Sequence, residues 1–205
     1  MSGTIGIPTV DFAVTRIGNQ VWMAEDYRPT HYNNGDIIFS TSDPDSGPSD
    51  WEGYGNDGIG AYVYYPFENT NSDYVFYNRY VFTDPRGVLP PGWRLPTLSD
   101  VVTLAKYYDP SAITPSIGNA ISTIAGDALK LVSNWSSPNT NTNISRFSAN
   151  SNGYIIEVGE FYGQDEVVYY RLNGSIGFRL TFEDGGITYI NLFDQFGTPI
   201  RLIAI

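Results

Sequence analysis

Cysteine is absent from the 205 residues, histidine occurs once, and lysine and methionine occur twice each. Without cysteine, disulfides, thiolate metal sites and cysteine nucleophiles are excluded outright. With His31 alone, a zinc site or a Ser–His–Asp triad would have to combine that single imidazole with carboxylates. No nucleophile elbow, phosphate-binding loop or HExxH string occurs. Charged residues make up only 16% of the chain, below the usual quarter. No stretch approaches ~18 apolar residues, so no membrane insertion is expected. The opening MSGTIGIPTV has neither a basic segment nor a long apolar run and does not read as a secretory signal. The expectation is a protein made for the cytoplasm, or one whose leader has been removed.

What is present points to a neutral polar surface on an acidic chain. The formal charge of −11 argues against nucleic acid or anionic membrane as partner, because neither is drawn to an acidic surface. Nine arginines against two lysines mean that most cations carry a planar fork suited to fixed pairing. Sixteen tyrosines amid abundant Asn, Ser, Thr and Gly match the composition of recognition surfaces. A loop-rich β protein with tyrosine in its strands accounts for the same composition equally well. The length suits one domain that buries roughly 70% of its unfolded surface in its interior.

The densest local signal is Asn78 to Asp100, NRYVFTDPRGVLPPGWRLPTLSD. Asp84-Pro85-Arg86-Gly87 reads as a tight turn and Pro90-Pro91-Gly92 as a second reversal, with Trp93 as an anchor. Thr97 then opens a helix, with Asp100 three residues on completing a capping box in which Asp replaces Glu. Together with Gln20 to Asp26 (QVWMAED), Leu129 to Trp135 (LKLVSNW), Phe147-Ser148-Ala149 with Gly153-Tyr154, and Gly197 to Ile203, this segment resembles the Fibrobacter succinogenes major paralogous domain, a family common in surface proteins and phages of gut Bacteroidetes. The resemblance covers nearly the whole chain. It implies an α+β, C-type-lectin-like fold of mostly antiparallel strands, one or two short helices and long loops. Residues 1–9 are then an N-terminal arm and 10–205 the domain. Many relatives carry cysteine where Leu89 and Leu202 stand, which implies that these leucines pack together in a chain that folds in a reducing cell.

Along the chain, residues 11 to 24 read as a hairpin turning at Gly18-Asn19, and Ile200 to Ile205 as an interior strand beside it. Asn33 to Tyr54 reads as a long surface loop with a strand-like piece at Asp36 to Ser40. Tyr62 to Tyr65 and Tyr74 to Phe82 favour strands, the second strand or partly helix. Leu98 to Tyr108 has apolar residues at helical spacing and stops at Asp109-Pro110. Ala120 to Val132 suggests a short helix broken near Gly126, and Asn134 to Asn152 a polar loop laid across the surface. Tyr154 to Phe161, Val167 to Leu172, Phe178 to Glu183 and Ile187 to Phe193 read as strands, with Asp184-Gly185 a hairpin signal.

Catalysis has little to rest on. Asp43, Asp45 and Asp50 could offer oxygens to calcium, but the spacing is not an EF-hand and the Glu-Pro-Asn, Gln-Pro-Asp and Trp-Asn-Asp strings of calcium-dependent lectins are missing. No metal and no cofactor is therefore expected. The lectin-like resemblance also extends to formylglycine-generating enzymes, but those that act through reactive cysteines cannot be matched here. Of the tryptophans, Trp22, Trp93 and Trp135 suit the core, and Trp51 in the long loop is the candidate contact residue. Tyr169, Tyr170, Arg171 and Asn173, with Tyr189, Asn191, Phe193, Asp194 and Gln195, lie where lectin-like domains present their variable face. Rigid aromatics with amide neighbours give adaptable contact there, although alternate strand positions must face the core.

The reading is a non-enzymatic binding or structural module of a phage particle, a capsid or tail-fibre component that works as a homo-oligomer. Its partners would be other virion proteins and a protein or glycan of the host surface. The alternatives are a secreted or cell-surface adhesin of a Bacteroidetes bacterium and an enzyme of the formylglycine-generating fold.

Overall fold

The computed structural model describes residues 12–41, 47–65 and 74–205. The N-terminal arm and Asp43 and Asp45 of the acidic loop lie outside the described residues. Gly18 sits at φ +58°, in the left-handed region that a residue without Cβ enters at no cost. It turns β1 (Val14–Ile17) into β2 (Gln20–Met23), as the sequence predicts. There follow β3 (Phe39–Ser40), α1 (Gly47–Asn56), β4 (Ala61–Tyr65), β5 (Tyr74–Tyr77), α2 (Tyr80–Thr83), β6 (Trp93–Arg94) and α3 (Leu98–Tyr108). The second half holds β7 (Ala120–Ser122), a single 3-10 turn at Ala125–Ala128, β8 (Tyr154–Ile155), β9 (Phe161–Tyr162), β10 (Val167–Arg171), β11 (Ile176–Thr181), β12 (Ile187–Asn191) and β13 (Ile203–Ala204).

The strands form sheets in the orders β1-β2-β13-β6, β10-β11-β12-β7, β3-β4-β5 and β8-β9. Every named pairing is antiparallel except β3 with β4. The architecture is thus α+β with short helices. Ile203 pairs with Trp22 on one side and Arg94 on the other, so the closing strand fills the sheet beside the first hairpin.

This sheet is covered on both faces. Successive residues on a strand point opposite ways. Trp22 and Ile203 accordingly enter a large cluster with α3 and the β10–β12 sheet, while Met23 and Leu202 enter a second with Tyr32, Tyr62, Tyr77 and Val88. Leu89 packs against that second cluster, of which Leu202 is a member. Helix α3 buries Val101, Val102, Leu104 and Ala105. Its start is the capping box read from the sequence: the Asp100 amide donates to Thr97 Oγ1 and the Thr97 amide donates to Asp100 Oδ2 at 2.7 Å.

Four expectations are corrected. A surface loop was expected over 33–54, but α1 begins within it at Gly47; its Gly47, Gly53 and Gly55 are poor helix formers, and Pro48 stands in the first turn, where a missing N–H is tolerated. The segment 134–152 has no regular elements, yet it buries Trp135, Phe147 and Ala149 in the large cluster, so it is a structural wall of the domain. The helix expected in 120–132 reduces to β7 and the 3-10 turn, and the strand expected over 154–161 folds back as β8 and β9. The β11–β12 connection spans 182–186, and the buried Lys130 ammonium donates to the carbonyls of Thr181 (2.9 Å), which precedes it, and Asp184 (2.7 Å), within it.

Candidate functional site

The β10–β11–β12 sheet has two unlike faces. Residues directly opposite across strands share a face. Tyr170, Phe178 and Tyr189 stand in register and turn inward, where Tyr170 and Phe178 are fully buried and Tyr189 packs against the core. Tyr169, Arg179 and Thr188, also in register, turn outward. The β8–β9 hairpin lies beside this outer face, tied to it by the bridge between Gly153 and Val168.

Between hairpin and sheet lies a groove of about 300 Å³. One side is a ladder of rings. Tyr154 stacks on Tyr169 with centroids 4.4 Å apart and planes 19° from parallel, Phe196 lies 6.0 Å beyond Tyr154, and Tyr162 tilts toward it at 6.1 Å. Tyr162 is 45% exposed, and its hydroxyl donates to Glu160 at 2.5 Å, which raises its pKa. Burial, reinforced by Tyr169, raises that of Tyr154. Arg179 and Thr181 lie in the groove, with Glu166 and Glu183 exposed along it. The Arg179 Nε is buried and has no hydrogen-bond partner among the described residues.

A second depression, of about 230 Å³, is lined by Glu25, Asp26, Arg28, Asn150, Asn152 and Arg201 among others. Arg201 is 1% exposed and saturates its fork there. It donates to Asp26 Oδ1 from Nε (3.1 Å) and Nη2 (2.6 Å), and to the carbonyls of Met23 and Phe147 and the Tyr170 hydroxyl. Its guanidinium also lies over the Phe147 ring at 4.4 Å. Burial pulls the Arg201 pKa down, but Tyr170 and Asp26 outweigh it and hold the group above its ordinary value. The charges here neutralise one another.

The structure divides the residues singled out from sequence. Tyr169 lines the groove, and Asn173, Asn191 and Phe193 are exposed, with Tyr189 half-buried on the other face. Trp51 is corrected: it is 2% exposed within α1, packed with Ala61, Val63, Phe76 and Ile155, and is therefore a core residue. Tyr170 is corrected likewise by its complete burial. Arg171 is also fully buried; its Nη2 donates to the carbonyls of Phe193 (3.0 Å) and Phe196 (2.9 Å), clamping the turn after β12 from within. Asp194 accepts from Arg79 (2.8 Å) and Ser175 (2.6 Å), and Gln195 donates to Asn56 (3.0 Å), so both brace the same turn. Trp22 and Trp135 are buried as expected, and Trp93 packs edge-on against Phe12.

Sequence reasoning missed Tyr154, Tyr162 and Arg179 as one surface. Strand alternation from Tyr169 would have selected that face, but the cross-strand register that sets Arg179 opposite Tyr169 and the backfolding of β9 are not written in any single motif. Among the described residues no three His, Cys, Asp or Glu side chains come together as a metal site, and no helix is long and apolar enough to cross a membrane. His31 is exposed, its Nδ1 2.9 Å from Thr30 Oγ1.

Among curated proteins and among solved structures, nothing matches the chain. The sequence profile of the Fibrobacter succinogenes major domain matches residues 15–174, a span that runs from the first hairpin past β10 and includes Tyr154, Tyr162 and Tyr169. The closing Gly197 to Ile203 segment lies beyond the match, although its strand completes the first sheet. By that match the chain belongs to the Fibrobacter succinogenes major domain family.

Proposed function

We propose that the chain is a non-enzymatic recognition module that serves as a structural or attachment component of a phage particle infecting Bacteroidetes. The observation that carries this reading is the tyrosine-walled groove, whose rings are braced against each other before any partner arrives. Preorganised aromatic surface loses little conformational entropy on binding, which suits recognition. The second depression supports the non-enzymatic part, because its buried cation is consumed by Asp26 and backbone carbonyls rather than poised against a reacting group. The pairing of the first hairpin with the closing strand, which joins the ends of the domain, supports a lectin-like scaffold. The packing of Leu89 with the Leu202 cluster supports folding without a disulfide, as assembly inside a reducing host cell requires.

Mass spectrometry of purified virions tests the placement, and cryo-electron microscopy of the same particles tests whether adjacent copies bury more than about 1,000 Å². The chain in virions with such an interface is the expected result. Recovery from bacterial envelopes alone would transfer the module to a cell-surface adhesin, and turnover of a small molecule by the purified protein would replace binding with catalysis.

A further inference from the structure

We infer that the groove over the outer face of β10 and β11 binds a neutral hexopyranose unit of a glycan, stacked on its tyrosines. The inference rests on the reading of the chain as a recognition module and names the ligand class of that same site. A pyranose ring offers one face of C–H groups and a rim of hydroxyls. Laid on the half-exposed Tyr162 ring beside the stacked Tyr154–Tyr169 pair, the C–H face loses contact with water while the hydroxyls point sideways.

Those hydroxyls meet a matching set of groups. A guanidinium only donates and a carboxylate only accepts, whereas each sugar hydroxyl does both. Arg179, whose buried Nε has no hydrogen-bond partner among the described residues, can donate to a hydroxyl that in turn donates to Glu166 or Glu183. An apolar partner would leave that arginine desolvated and unpaired, at a cost. An anionic sugar would face two carboxylates against one guanidinium on a chain of charge −11. The groove, about 300 Å³ and concave, suits a small ring better than the broad contact that a folded protein makes.

The test is a ¹H–¹⁵N NMR titration of the full chain with methyl α-mannoside, methyl β-galactoside and N-acetylglucosamine, with sialyllactose as the acidic comparison. At least one neutral sugar is expected to shift the amides around Tyr162, Gly163 and Arg179. Tyr162→Ala and Arg179→Gln should each weaken that binding roughly tenfold, a change of about 1.4 kcal/mol. Because Tyr162 is 45% exposed, its removal should lower the melting temperature only modestly, and a dispersed amide spectrum of the variant shows that it is folded and the loss interpretable. No groove shift with any of the neutral sugars, stronger binding of sialyllactose, or unchanged affinity in Tyr162→Ala overturns the inference.

Adhesion of the chain to Bacteroidetes cells separates this from the broader reading. Equal adhesion by wild type and Tyr162→Ala, with no sugar shifting the groove, removes the sugar site and leaves attachment standing. Sugar binding in the groove by a chain found in neither virions nor envelopes does the reverse.

Discussion

Two arginines, each essentially without solvent exposure, hold two regions of this domain in opposite ways. Around Arg201, where the first hairpin, the Phe147 loop and the closing segment meet, the cation is matched by Asp26, two carbonyls, a hydroxyl and an aromatic face. Around Arg171, beneath the turn after β12, two carbonyls accept from one nitrogen, and Nε and Nη1 have no partner among the described residues. The electrostatics follow. Arg201 is held above its ordinary pKa, whereas burial pulls Arg171 down to about 9 against the opposing charge of Asp194, so it stays charged at neutral pH. The difference teaches that a buried cation can be the centre of a charge network or merely a clamp on backbone carbonyls, and that the two should respond differently to removal.

The largest effect is expected at the network. Arg201→Met leaves the Asp26 carboxylate mostly buried and without its countercharge, a situation that costs about 3–5 kcal/mol. Urea unfolding followed by circular dichroism reads this. The double variant Asp26→Leu/Arg201→Met should regain a large part, since two apolar groups leave no uncompensated charge. A loss below about 1 kcal/mol in the single variant would erase the contrast with Arg171.

Next comes Gly197, which follows the turn that Arg171 clamps. A Cβ there would stand 2.9 Å from Trp51 Cζ2 and 3.1 Å from Ile155 Cβ. Both neighbours are buried, so neither can give way easily. Gly197→Ala is expected to cost about 2–3 kcal/mol by overpacking. Trp51→Phe should restore part of it by removing the colliding ring, which a thermal melt of single and double variants checks.

At the clamp itself the loss should be smaller. Arg171→Met deprives the Phe193 and Phe196 carbonyls of a donor but also removes a charge with no direct carboxylate partner, so about 1–2 kcal/mol is expected. Hydrogen exchange should quicken at the amides of Phe196 and Gly197 while the amides of β2 keep their protection. Equal loss of protection in both regions would show that the turn and the first sheet unfold as one unit.

These regions were not equally legible in the sequence. The first hairpin, the capping box at Thr97 and the closing strand depend on short-range chemistry: a left-handed glycine, a hydroxyl three residues from a carboxylate, an apolar run interrupted only by Arg201. The glycine-rich helix that buries Trp51 and the irregular wall at 134–152 depend on tertiary packing, which overrides weak local preference. Of the contact face, Tyr169 stands in the groove because strand alternation is a local rule. Tyr170, next in sequence, turns to the core as alternation requires, whereas Arg171, which shares the face of Tyr169, is buried under the turn that it clamps.

A third arginine pair calibrates the other two. Arg94 grips Asp100 with two nitrogens at 2.6 and 2.9 Å, but at the surface, where Arg94 keeps 37% of its side-chain exposure. Burial pushes the Asp100 carboxyl up, and the hydrogen bonds from Arg94 and Thr97 more than reverse this, leaving it at about 2. A carboxyl whose pKa is lower folded than unfolded adds stability above its unfolded value, and that stability is lost as pH falls through the folded one. The window therefore runs from about pH 4 down to about pH 2. Solvent screening of the exposed guanidinium trims the contribution to about 1 kcal/mol. Asp100→Asn should lose that amount at pH 7 and show a correspondingly flatter acid limb in urea midpoints measured from pH 5 to pH 2. If instead Asp100→Asn costs as much as Arg201→Met, burial is not what separates the pairs, and the bidentate geometry itself carries the energy of both.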